Sequence, residues 1–147
     1  MDRGLAVILT ACVGGLIALQ APINSGLGRA VGTVQAAFVS FALGTVLLAG
    51  IAAVSRGGLG QVAEARGVSW HLLIGGILGA CYVTSVLVTV RTLGAGGVTA
   101  ATIAGQLTLS VVVDHYGWLG VERSSVTVAK VAGLALLAAG TYLVIRD

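Results

Sequence analysis

The chain has 147 residues, 57% of them hydrophobic and 9% charged, with eight Lys/Arg against five Asp/Glu and a net charge of +3. Its mean hydropathy is +1.05. Soluble domains carry roughly 25% charged residues, so this chain lacks the polar surface to cover itself in water. Disorder, a coiled coil, a disulfide scaffold and an ordinary cytosolic enzyme are excluded, and an integral membrane protein is left. The positive charge does not indicate nucleic acid, because the cations lie singly between apolar runs with no basic cluster. Cys12 and Cys81 sit inside apolar runs without metal-ligand spacing. No metal or cofactor is expected.

A membrane helix needs about 20 mainly apolar residues. Five segments meet this in one domain, with approximate spans 5–22, 34–54, 70–90, 98–119 and 126–145. The first could pass for a signal peptide, but Leu19-Gln20-Ala21 is a poor cleavage site and the following chain is itself membrane-like. Polar joints are expected at 24–32, 55–69, 91–97 and 120–125. These runs are far longer than the ~10-residue segments of a membrane barrel, so the fold class is all-α. Small residues recur every four positions, as in Ala36, Ser40 and Gly44, Gly75 and Gly79, and Ala129 and Gly133. That spacing lets helices approach closely.

In the first span Gln20 and Asn24 are four apart, with Pro22 between them. A proline removes one backbone donor, so a kinked helix end flanked by two amides is expected. Such an element either faces a ligand or closes the helix on itself. In the third span Tyr82, Ser85 and Thr89 form a mildly polar edge.

The fourth span is the most informative. At about 100° per residue, Thr99, Thr102, Gln106, Ser110, Asp114 and Gly117 fall in one arc, with Thr108 and His115 opposite. A polar stripe on a membrane helix looks away from lipid, into a bundle or into water. Gln106 lies roughly 12 Å along the helix from Val98, near mid-membrane. Asp114 lies nearer the surface, where it either carries a coupling proton or anchors the helix end. Asp114 and His115 are adjacent and point about 100° apart, so they do not form an acid/base dyad. No nucleophile, second acid or phosphate loop accompanies them, and no enzyme activity is expected.

Five spans put the termini on opposite sides. Arg3, Arg56, Arg66, Arg123 and Lys130 then share the N-terminal side, and Arg29, Arg91 and Arg146 the other. A cytoplasmic N-terminus is favoured, but by so small a surplus that insertion both ways is expected.

The run Ala104-Gly105-Gln106-Leu107 through Ser110 to Asp114-His115-Tyr116-Gly117 resembles the signature of YdcZ-type proteins of the drug/metabolite transporter superfamily. So do Gln20-Ala21-Pro22-Ile23-Asn24, Leu27-Gly28-Arg29, Phe41 to Thr45, Gly75 to Ala80 and Arg91 to Gly94, in the same order. The resemblance implies a bacterial inner-membrane protein with five helices, half of a ten-helix inverted-repeat bundle. It further implies pairing with a second copy or related paralogue in antiparallel orientation. A small-molecule transporter working by alternating access follows, with Gln20, Asn24, Tyr82, Gln106 and Ser110 toward substrate. Asp114 and His115 would serve as coupling or structural groups. The small multidrug transporters, by contrast, look like four-helix chains with a glutamate in the first helix, and this chain has no acid there. A dual-topology ion channel and a non-transporting membrane subunit are the alternatives.

Overall fold

The computed structural model describes residues 2–146. Its helices are α1 (Arg3–Val31), α2 (Thr33–Val54), α3 (Gly75–Tyr116) and α4 (Val128–Ile145), with short 3₁₀ turns at Gly58–Gly67, Trp70–Leu72 and Trp118–Gly120. No strand occurs among the described residues. Four helices are long and apolar enough to cross a membrane, with windows of mean hydropathy 2.0, 2.3, 2.0 and 1.9. Such composition selects helices because backbone polar groups in lipid must be satisfied within the segment.

The helix starts follow ordinary capping chemistry. Asp2 accepts a hydrogen bond from the Gly4 amide at 3.0 Å at the start of α1. Thr127 Oγ1 accepts from the Lys130 amide at 3.2 Å at the start of α4. Each supplies an acceptor for one of the orphaned first-turn N–H groups.

Two boundaries differ most from the sequence expectation, beside smaller shifts at 70–74 and 117–119, which lie outside the α-helices. α1 continues through Pro22 to Val31, so residues 24–31 are helical rather than a polar joint. Proline's fixed φ is itself helical, and its missing N–H strands one carbonyl without forcing the chain out of the helix. What ends α1 is Gly32, with φ 97°, which is also the N-cap of α2. That left-handed backbone favours glycine, and one residue makes the whole turn. The second difference is α3, which has 42 residues in helical register with a break only at Gly94 (φ 69°, ψ 171°). The break divides it into two arms, 75–93 and 95–116.

The chain divides into two compact units, one through Arg91 and one from Thr92. In the first, Ala36 and Ala37 of α2 form a buried cluster with Val83 and Leu87 of α3, with Leu27 and Tyr82 packed against it. Gly28 of α1 is tightly flanked: a Cβ there would lie 3.3 Å from Arg91 Nη2, 3.6 Å from Leu87 and 3.7 Å from Ala36. Gly79 faces the Phe41 ring at 3.5 Å by the same measure. Part of the small-residue pattern is thus engaged within the chain, whereas Gly44, Gly75 and Gly133 have open space beside them.

In the second unit the end of α4 packs on the start of the second α3 arm. Thr141 Oγ1 donates to the Ala100 carbonyl at 3.2 Å. A Cβ on Gly97 would meet Ile145 at 3.5 Å, and one on Gly96 would meet Val144 at 3.8 Å. No residue of α4 is fully buried, so its apolar faces are left for lipid or a partner.

Candidate functional site

Hydrogen bonding separates the polar side chains of the second α3 arm into two kinds. Thr108, off the stripe, donates its hydroxyl back to the Ala104 carbonyl at 2.7 Å. A hydroxyl in lipid commonly satisfies itself this way. Thr10, Thr45, Ser85 and Thr89 do the same on the other helices, at 2.8, 2.8, 2.8 and 3.0 Å. On the stripe, Gln106 and Ser110 are exposed and Thr99 and Thr102 half-buried. Among the described residues none of these four side chains has a hydrogen-bond partner within the chain. A buried or lipid-facing polar group without a partner is costly, so this face requires water, cargo or another chain.

The stripe ends in a hook that begins at Asp114. The Asp114 carbonyl accepts from the Gly117 amide at 3.3 Å and from the Ser124 amide at 2.8 Å. Arg123 Nε donates to the His115 carbonyl at 2.9 Å. Gly117 (φ 66°), Leu119 (φ 59°) and Gly120 (φ 79°) turn the chain in left-handed conformations. Lys130 Nζ then holds the hook's far side, donating to Ser124 Oγ at 2.9 Å, to the Ser125 carbonyl at 3.1 Å and to the Ser124 carbonyl at 3.4 Å. Its ammonium thereby closes the loop. The anchoring at Asp114 is done by its main chain, and its half-buried carboxylate is left for other work.

His115 is half-buried, its ring edge-on to Tyr116 at 4.9 Å, and Tyr116 stacks on Trp118 at 5.1 Å. His115 Nδ1 is buried without a partner among the described residues. No cluster of three or more His, Cys, Asp or Glu that could hold a metal occurs among them.

The other singled-out residues fall in the first unit and are not alike. Asn24 is buried, and its Nδ2 donates to Ser40 Oγ at 3.2 Å, tying α1 to α2. Gln20, one turn earlier, is exposed on the open surface of α1 beside Val13, Leu16, Ile17 and Ile23. The two amides predicted to act together therefore have different surroundings. Tyr82 is half-buried against the α2–α3 cluster, and its neighbours Ser85 and Thr89 are bonded back to their own helix. Sequence reasoning missed Ser40, which it counted only as a small residue. A hydroxyl within reach of an amide on a neighbouring apolar helix was the available signal.

Long apolar helices, one of them with an unsatisfied polar face, define a polytopic α-helical membrane protein. The chain matches, over residues 5–143, the family described as "Putative inner membrane exporter, YdcZ". It belongs to that family, whose members are described as inner-membrane exporters. Its work therefore concerns a small-molecule substrate and a lipid bilayer. No curated protein and no solved structure was found to match.

Proposed function

We propose that this chain is half of a secondary transporter that exports a small metabolite by alternating access, working as an antiparallel dimer of five-span copies. The observation that carries the reading is the contrast within the second α3 arm. Thr108 satisfies itself on its own backbone, while Thr99, Thr102, Gln106 and Ser110 on the opposite face do not.

Length supports five spans. At about 1.5 Å per residue a straight helix the length of α3 would run roughly 60 Å, twice the hydrocarbon thickness. Division at the Gly94 break leaves two segments, 75–93 and 95–116, each about the length of one crossing. Antiparallel pairing is supported by the small charge surplus on the N-terminal side and by the need to cover the stripe. Substrate sites near mid-bilayer at the interface of inverted repeats are a recurrent transporter arrangement. Gln106 and Ser110 are the central lining groups, with Thr99 and Thr102 toward one end and Asp114 at the other; His115, next to Asp114, is on the opposite face and is a structural or coupling group rather than a lining one. Gln20 is a second exposed amide, on α1. Asn24 and Tyr82 support the fold around their helices and reach cargo only if that packing opens.

The test is transport by reconstituted protein. Gln106→Ala removes an amide without adding bulk, and loss of one hydrogen bond to cargo corresponds to roughly a tenfold drop in affinity or rate. Saturable flux that falls about tenfold, with expression and dimerisation kept, supports the reading. Fast unsaturable current identifies a channel instead.

A further inference from the structure

Every charged side chain among the described residues lies at an element end or in a loop. Asp2 and Arg3 are at the start of α1, and Arg29 is in its last turn. Arg56, Glu64 and Arg66 lie between α2 and α3, and Arg91 stands three residues before the break at Gly94. Asp114 is in the last turn of α3, Glu122 and Arg123 are in the hook, Lys130 is in the first turn of α4, and Arg146 is its C-cap. The middle of the stripe therefore offers one amide and three hydroxyls, with no fixed charge.

From this juxtaposition we propose that the cargo is an uncharged, hydrogen-bonding solute of the polyol, sugar or amide class; this rests on the transport reading above. An ion crossing the middle of a bilayer must exchange its hydration for an opposite charge or a dense set of dipoles, because the charged form is otherwise strongly disfavoured there. Sites for organic cations need a carboxylate at that depth, and sites for anions an arginine, lysine or helix N-terminus. The stripe has none of these near Gln106. Hydroxyls and an amide each both donate and accept, which suits a solute whose own hydroxyl or amide groups do the same. They are available for it, since Thr99, Thr102, Gln106 and Ser110 are not bonded back to the helix as Thr108 is. Asp114, two turns beyond Gln106, is too close to the helix end to escort a cation across. Gln106 is the residue that sets the class, because it alone is central, exposed and able to offer two donors and an acceptor.

The experiment compares export by cells expressing the full chain with export by cells expressing Gln106→Ala, using mass spectrometry of the medium without preselected targets. In parallel, reconstituted vesicles are tested with choline as a permanent cation and gluconate as an anion. The expected result is that species raised at least threefold by the wild type and not by Gln106→Ala are uncharged at neutral pH. Choline and gluconate should stay at the rate of protein-free vesicles. Gln106→Glu should abolish export of the uncharged species and raise choline flux at least fivefold. If the Gln106-dependent species carry a fixed charge, or if wild-type protein moves choline or gluconate, the cargo class is wrong while transport stands. If Gln106→Glu leaves the export profile unchanged, Gln106 does not read the cargo and the proposal fails. If no exported species changes between wild type and empty cells, the transport reading itself fails, and the cargo class with it.

Discussion

Asn24 of α1 donates its side-chain amide to the hydroxyl of Ser40 on α2 at 3.2 Å, and Asn24 is buried where they meet. The pair sits near the single-residue turn at Gly32 and helps hold the two helices antiparallel. Interhelical hydrogen bonds in membrane proteins contribute roughly 0.6–1.7 kcal/mol. Asn24→Ala and Ser40→Ala should each cost about 1 kcal/mol, and the double variant little more than either single one. Unfolding of the four proteins in mixed micelles measures this. Strict additivity would show that the two side chains are not coupled.

Orientation should be easy to perturb. Arg56 and Arg66 are exposed between α2 and α3, whereas Arg123 and Lys130, on the same side in the proposed five-span topology, are already engaged with backbone carbonyls. Removing both loop arginines erases the surplus of positive charge on the N-terminal side, and the N-terminus should then redistribute between the two faces. Reporter fusions at both termini read the outcome. One-sided labelling that survives loss of both arginines contradicts insertion in two orientations.

Asp114 should be separable from the hook it begins. Its main-chain carbonyl, not its carboxylate, receives the Gly117 and Ser124 amides. Asp114→Asn keeps shape and hydrogen-bonding capacity, so thermal stability should change by no more than about 0.5 kcal/mol. Transport should fall while assembly is kept, because the asparagine lacks the carboxylate's charge. Unchanged transport would leave the carboxylate without a role in the transport cycle, and unfolding would make it structural.

The helices were legible because composition alone demands them: long apolar runs in lipid have few alternatives to satisfying their backbone internally. The polar face of the second α3 arm was equally legible, since the period of a helix fixes which residues share a side. The end of α1 was not. Pro22 looks like a terminator locally, yet the helix passes through it and stops at Gly32, where a positive φ is required. Nor could the sequence separate Gln20 from Asn24. Their spacing puts them on one face, but Ser40, distant in sequence, binds only Asn24 and leaves Gln20 exposed. Lys130 is similar. Its position in the first turn of α4 was clear, but its three contacts to Ser124 and Ser125 depend on the left-handed turns at Gly117, Leu119 and Gly120.

The central claim is that Thr99, Thr102, Gln106 and Ser110 line an aqueous solute pathway. The most direct measurement is a single-cysteine scan of residues 98–117 with a membrane-impermeant thiol reagent. Cys12 and Cys81, both exposed, are first replaced by alanine. Modification should be fast at 99, 102, 106 and 110, slow at 101, 104 and 108, and slowed further on the stripe by exported solute. Uniform protection of 102, 106 and 110 in the bilayer, or equal reactivity at 108 and 106, would contradict a pathway along this face.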